Sequence, residues 1–118
     1  MLDVILRRFD APDEVRRFEK GRFELITLGG MTLGRATYEP EWKWSLHVGP
    51  IVGAGLCTVE HLGLVLEGKA TVSFADGRIY DLVPGTLFHI PGEPHDSWVV
   101  GDERYVSLHF LGAAYYAR

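Results

Sequence analysis

Turn-forming residues recur every 8 to 12 positions or so along most of this chain, and that spacing excludes long helices and βαβ crossovers before any other feature is considered. Gly29-Gly30, Glu39-Pro40, Gly68, Asp76-Gly77, Pro84-Gly85, Pro91-Gly92-Glu93-Pro94 and Gly101-Asp102 punctuate short runs rich in β-formers. Asp76-Gly77 is the strongest of these signals, because Asp-Gly readily adopts the positive φ that tight hairpin turns require. Fourteen Gly and six Pro in 118 residues put a chain breaker at about one position in six, against the usual roughly one in eight. An all-β sandwich or barrel is the expected architecture.

The runs between turns predict strands over Phe23–Leu28, Met31–Tyr38, Cys57–Phe74 (two strands meeting at Gly68), Ile79–Val83, Thr86–Ile90, Ser97–Val100 and Tyr105–Leu111. Before them, Phe9, Val15 and Phe18 among charged residues are compatible with a short amphipathic helical turn within Phe9–Arg22, with Asp10 or Asp13 as its N-cap. The length fits one domain, 1–118, with no linker, repeat or low-complexity segment.

Charge and composition narrow the partners. The net charge is −4, and the basic residues are scattered apart from an N-terminal group that alternates with Asp and Glu. Nucleic acid is not an expected partner, since phosphate binding needs a net basic face. No apolar run approaches the roughly 20 residues of a membrane span. A single cysteine, Cys57, has no partner for an internal disulfide, and the first residues lack the pattern of a secretory signal. A cytoplasmic location is the expectation.

Two stretches carry a family resemblance. His61-Leu-Gly-Leu-Val-Leu-Glu-Gly68 is similar to the end of the first cupin motif, G-x5-H-x-H-x3-4-E-x6-G, with His61 where the glutamate stands. Gly85-x5-Pro91-Gly92-Glu93-Pro94-His95 is similar to the second motif, G-x5-P-x-G-x2-H-x3-N, with one residue missing between proline and glycine. Their order around the Asp76-Gly77 turn resembles small single-domain cupins over roughly residues 36 to 111. The resemblance implies a double-stranded β-helix, a jelly-roll barrel, with a short N-terminal extension. It also implies a divalent metal in the lumen.

This sequence departs from the family pattern in its ligands. The His-x-His pair is absent from Ala54-Gly55-Leu56-Cys57, and the nearest substitute is Ser45-x-His47, displaced by an insertion from Gly49 to Gly55. The resemblance therefore points to His47, His61 and His95 as metal ligands, with zinc, iron, nickel or manganese as the ion. Gly63, on the His61 face of its strand, would leave space for a substrate, and Phe88, Glu93 and Trp98 would line the same site. His89 and His109 match no ligand position, so a surface or pocket-edge place is expected for them. Cys57 shares strand parity with His61, which leaves open a thiolate ligand or a small buried hydrophobe.

Trp42 and Trp44 fall on one face of a regular strand. Exposed tryptophans need a cover, so they are expected at a homodimer interface. The function expected from all this is a small-molecule cupin with oxygenase- or isomerase-like chemistry. Its alternative is a binding module that has lost part of the metal site.

Overall fold

The structure, a computed structural model, describes residues 2–118. Nine strands run in chain order: β1 Glu14–Phe18, β2 Gly21–Leu28, β3 Met31–Tyr38, β4 His61–Glu67, β5 Lys69–Phe74, β6 Ile79–Leu82, β7 Leu87–Ile90, β8 His95–Val100 and β9 Tyr105–Leu111. Two one-turn helices, α1 Trp44–His47 and α2 Gly49–Val52, precede β4, and a 3₁₀ turn, Ala113–Tyr115, follows β9. All described strand pairs are antiparallel. A six-stranded sheet in the order β1-β2-β3-β9-β4-β7 faces a three-stranded sheet in the order β6-β5-β8. The expected all-β, jelly-roll architecture is present, and no helix among the described residues is long and apolar enough to cross a membrane.

The turns lie where the glycines and prolines place them. Asp76 and Gly77 close the β5–β6 hairpin, with Gly77 at φ 98°. Gly68 separates β4 from β5 at φ 72°, and a Cβ there would collide with the Arg104 carbonyl oxygen. Only glycine meets both demands at that corner.

Two sequence expectations are corrected. Phe9–Arg22 holds no helix; instead β1 pairs with β2 from Glu14↔Leu25 to Phe18↔Gly21, around a tight turn with Lys20 at φ 65°. Asp13 caps nothing helical: its carboxylate accepts the Thr27 N–H at 2.8 Å and the Arg7 guanidinium at 2.7 Å, tying the incoming chain to β2. The strand lattice thus begins at Glu14, ahead of the expected barrel start near residue 36.

The second correction concerns the tryptophans. Trp44–His47 is helical, so strand parity does not apply, and both Trp42 and Trp44 are interior, at 1% and 3% exposure. Trp42 stacks on Tyr38 with centroids 3.7 Å apart and planes within 4°. Trp44 packs its ring against Gly49, where a Cβ would lie 3.2 Å from the ring. The argument for a tryptophan-covered homodimer face therefore lapses. What turns the chain inward is a tertiary contact: the Asp96 carboxylate of β8 accepts both the N–H and the hydroxyl of Ser45, at 3.0 and 2.7 Å, at the first turn of α1.

Candidate functional site

Strand alternation sends one set of side chains into the space between the sheets. From β4 these are His61, Gly63 and Val65; from β8, His95, Ser97 and Val99; from β9, Tyr105, Ser107 and His109. Register brings them together. Gly63 pairs with His109 and Val65 with Ser107, with a shift between Leu62 and Gly63, and a bridge joins Cys57 to His95. The rings of His61 and His95 lie 5.6 Å apart, and those of His61 and His109 5.4 Å apart. Cys57 Sγ, His61 and His95 present donor atoms that all lie within 4.8 Å of one another. The cavity that His61 and His95 border is small, about 40 Å³, and is walled by Trp42, Phe88, Tyr105 and Tyr116 as well as the histidines, while Cys57 lines an outer hollow beside it.

Hydrogen bonds set the state of each donor. His95 Nδ1–H donates to the Glu93 carbonyl at 2.7 Å, which leaves Nε2 with a free lone pair. The Cys57 thiol donates to His61 Nε2 at 3.7 Å, and His61 Nδ1 has no partner. Ser107 Oγ lies 2.9 Å from His109 Nε2, while His109 Nδ1 and Trp42 Nε1 are also unpartnered. Buried polar groups are normally satisfied, so three unpaired nitrogens around one cavity mark a place built for something else to bond.

Burial governs the electrostatics, because desolvation disfavours every charged form. It holds His61 well below the ordinary histidine value, with His109 and His95 adding to the effect, and it lowers His95 as well. It takes His109 from 6.5 to about 4 and pushes the Cys57 thiol up to about 11. Among the described residues no carboxylate, lysine or arginine borders the cavity. Its interior is uncharged and largely apolar, with the histidines, Ser97, Ser107 and the tyrosines as its polar groups.

This has a measurable consequence. His109 is neutral in the fold, while in the unfolded chain it protonates near 6.5. Stability contributed by keeping it neutral is present above pH 6.5 and is lost as pH falls through about 4. The loss over that window is about 3 kcal/mol from this one group, by the usual conversion. Urea melts at pH 7.0, 5.5 and 4.0 should show it, and His109→Gln should reduce the dependence by this group's share, leaving that of His61 and His95.

The structure assembles the expected residues unevenly. His61 and His95 meet in the lumen and Phe88 lines it, with rings of Phe88 and His109 5.6 Å apart. His47 does not reach them: it lies in α1, where its Nδ1 accepts the Lys43 N–H at 2.9 Å. Gly63 leaves no open space, because a Cβ there would collide with the Phe88 ring and the Leu108 carbonyl, so Phe88 already fills the gap. Trp98 has the parity opposite to His95 and Ser97 and faces outward, with the Lys43 ammonium 5.3 Å from its ring centre. Glu93 is an exposed partner of Arg78. His89 stays at the surface, paired with Glu60 at 2.7 Å.

Sequence reading missed His109 and Tyr116. His109 matches no family ligand position, and its parity partners Tyr105 and Ser107 are polar; yet that polar parity is the buried one, at 3%, 0% and 6% exposure for Tyr105, Ser107 and His109. The available signal was the run Tyr-x-Ser-x-His itself, which fits a polar lumen. Tyr116 gave no signal, since it lies beyond the last strand.

Residues 60–115 match the family model of the AraC-like ligand binding domain. Among curated proteins no sequence matches. A structure of unknown function from Rhizobium leguminosarum superposes with a TM-score of 0.65 at 18% identity, covering 92% of this chain and 95% of that one. Oxalate decarboxylase from Lactobacillus farciminis, in a formate complex, gives 0.66 at 18% identity, covering 92% of this chain and 32% of that longer one. A cupin-2 domain protein from Rhodospirillum rubrum gives 0.56 at 17% identity, covering 90% and 65%. With two facing antiparallel sheets, a histidine-bearing lumen and these likenesses, the chain has the cupin fold.

Proposed function

We propose that this chain is a small-molecule-binding cupin whose lumen holds one divalent transition ion on Cys57, His61 and His95. One observation carries the reading: three buried donor side chains whose ligating atoms lie within 4.8 Å of one another. The donor set fits an ion. His95 Nε2 is freed by the Nδ1–H bond to Glu93, and His61 Nε2 gives up only a long thiol contact. A thiolate with two imidazoles favours zinc over manganese, which prefers oxygen donors. When bound, such an ion supplies Lewis-acid polarisation of an oxygen or nitrogen donor on the ligand.

The chain's own residues do the rest. Tyr105, Ser107 and His109 form a neutral hydrogen-bonding wall, and Trp42 Nε1 adds an unpaired donor. The apolar side chains Val72, Leu82 and Ile90 exclude water from the opposite wall. Binding rather than turnover is the reading favoured, because the lumen lacks a carboxylate beside the histidines among the described residues and the matched family model is a ligand-binding domain.

Titration of purified protein with Co(II) and Zn(II) tests the ion. The expected result is one equivalent bound, a thiolate-to-cobalt charge-transfer band, and release of the Cys57 proton, which burial otherwise holds on. Binding of less than about a tenth of an equivalent overturns the reading.

A further inference from the structure

The cavity beside the histidines, at about 40 Å³, has room for an ion and about one water. It is far below the roughly 300 Å³ at which organic-ligand pockets begin. What fills the remaining space is a side chain from outside the sheets. Tyr116 lies wholly inside, its ring 4.7 Å from Phe23, 5.4 Å from His61 and 6.2 Å from His109, nearly parallel to the last. Its hydroxyl is 2.6 Å from that of Tyr38, deep in the barrel.

We propose that the Tyr116 ring occupies, as part of the chain itself, a site for a planar hydroxyaromatic molecule, and that the segment Gly112–Arg118 is a displaceable plug latched by Arg16. This deepens the small-molecule reading and rests on it.

Three observations carry the proposal. First, the plug's backbone is held from outside by one side chain rather than by strand pairing, the Tyr116–Tyr38 hydroxyl bond being a side-chain tie. The Arg16 guanidinium of β1 donates to the carbonyls of Tyr116 at 2.6 Å, Ala114 at 3.1 Å and Ala113 at 3.3 Å. The segment's own backbone bonds are local, Tyr115 N–H to Gly112 and Tyr116 N–H to Ala113. Secondly, the segment is jointed and strained. Gly112 sits at φ 83° with no room for a Cβ beside Glu60, and Ala117 takes φ 53°, a left-handed conformation that an L-residue adopts only under strain. Few bonds, a glycine joint and a strained residue are the marks of a segment that opens below the global unfolding energy.

Thirdly, withdrawal of Tyr116 makes a site of useful size. Tyr116 walls both the lumen and an outer hollow of about 220 Å³ that also touches Trp44, Cys57 and Tyr115. Removing that shared wall joins the two and frees the volume of the ring. The vacated place offers an aromatic slot between Phe23 and His61, the Tyr38 hydroxyl as hydrogen-bond partner, and a lumen wall with no charged side chain among the described residues, the Arg118 of the outer hollow belonging to the withdrawn segment itself. Those features select a neutral phenol-type ring over a charged or aliphatic molecule.

The probe is 4-methylphenol, the side chain of tyrosine itself, with toluene as the analogue lacking the hydroxyl. Metal-stripped protein is used, so that failure of the ion reading leaves the outcome untouched. Saturating 4-methylphenol is expected to speed amide exchange at Tyr115 and Tyr116 of the wild type about tenfold, and Arg16→Met to do the same without ligand. Toluene should bind about tenfold more weakly, because it strands the Tyr38 hydroxyl, and Tyr38→Phe should erase that preference. Binding with no change in exchange overturns the plug. No binding by the wild type or by Arg16→Met overturns the ring site, even if Tyr116→Ala binds, since that variant alone reports only an engineered hole.

Discussion

Cys57→Ser and His61→Ala, made separately, are each expected to weaken Co(II) or Zn(II) binding by about 100-fold or more, since loss of even an outer-shell partner costs about 10- to 100-fold. Serine keeps the size of the cysteine but does not ionise, so the charge-transfer band should vanish even where residual metal binds. His47→Ala and His89→Ala are the controls. His47 is committed to the Lys43 N–H and His89 to Glu60 at the surface, so neither should alter affinity. Isothermal titration with far-UV dichroism reads both binding and fold. Equal affinity in Cys57→Ser and wild type would assign the ion to histidines alone, and loss in His47→Ala would restore the ligand set that the family motif suggests.

The largest stability effect is expected at Trp42. It is 1% exposed, stacked on Tyr38 at 3.7 Å and within 6.4 Å of Phe18. Trp42→Ala should cost about 3–5 kcal/mol, the range for deleting a buried aromatic side chain. Trp42→Phe should cost much less, because the indole N–H has no partner to lose. Urea denaturation measures the difference. If Trp42 instead covered a dimer face, Trp42→Ala would lower the sedimentation coefficient and spare the unfolding midpoint. The interior position predicts the reverse.

Local signals were legible where their cause is local. Met31–Tyr38 and Tyr105–Leu111 emerge with the bounds read from turn residues and β-branched runs, because positive φ at Gly30 or Gly101 and a period of two are properties of a few neighbouring residues. The inward face of His61 came from the resemblance of its strand to the cupin motif, because alternation alone leaves both faces of that strand partly apolar. Phe9–Arg22 misled because three apolar residues among charges fit a helix and an edge strand alike. Pairing with β2, which no single segment records, chose the strand.

Sequence alone determined that this chain is a turn-rich β barrel of cupin type, with His61 and His95 on inward faces and Cys57 in line with His61. Tertiary structure decided which groups share the lumen. His47 left it because Asp96, 51 residues away, draws Ser45 into a helical turn. His109 entered it through the β4–β9 register, and Tyr116 through the Arg16 latch. Turn geometry and alternation depend on nearest neighbours, whereas the contents of a barrel depend on register, helix-or-strand choice and long-range hydrogen bonds. Only the folded chain sets those.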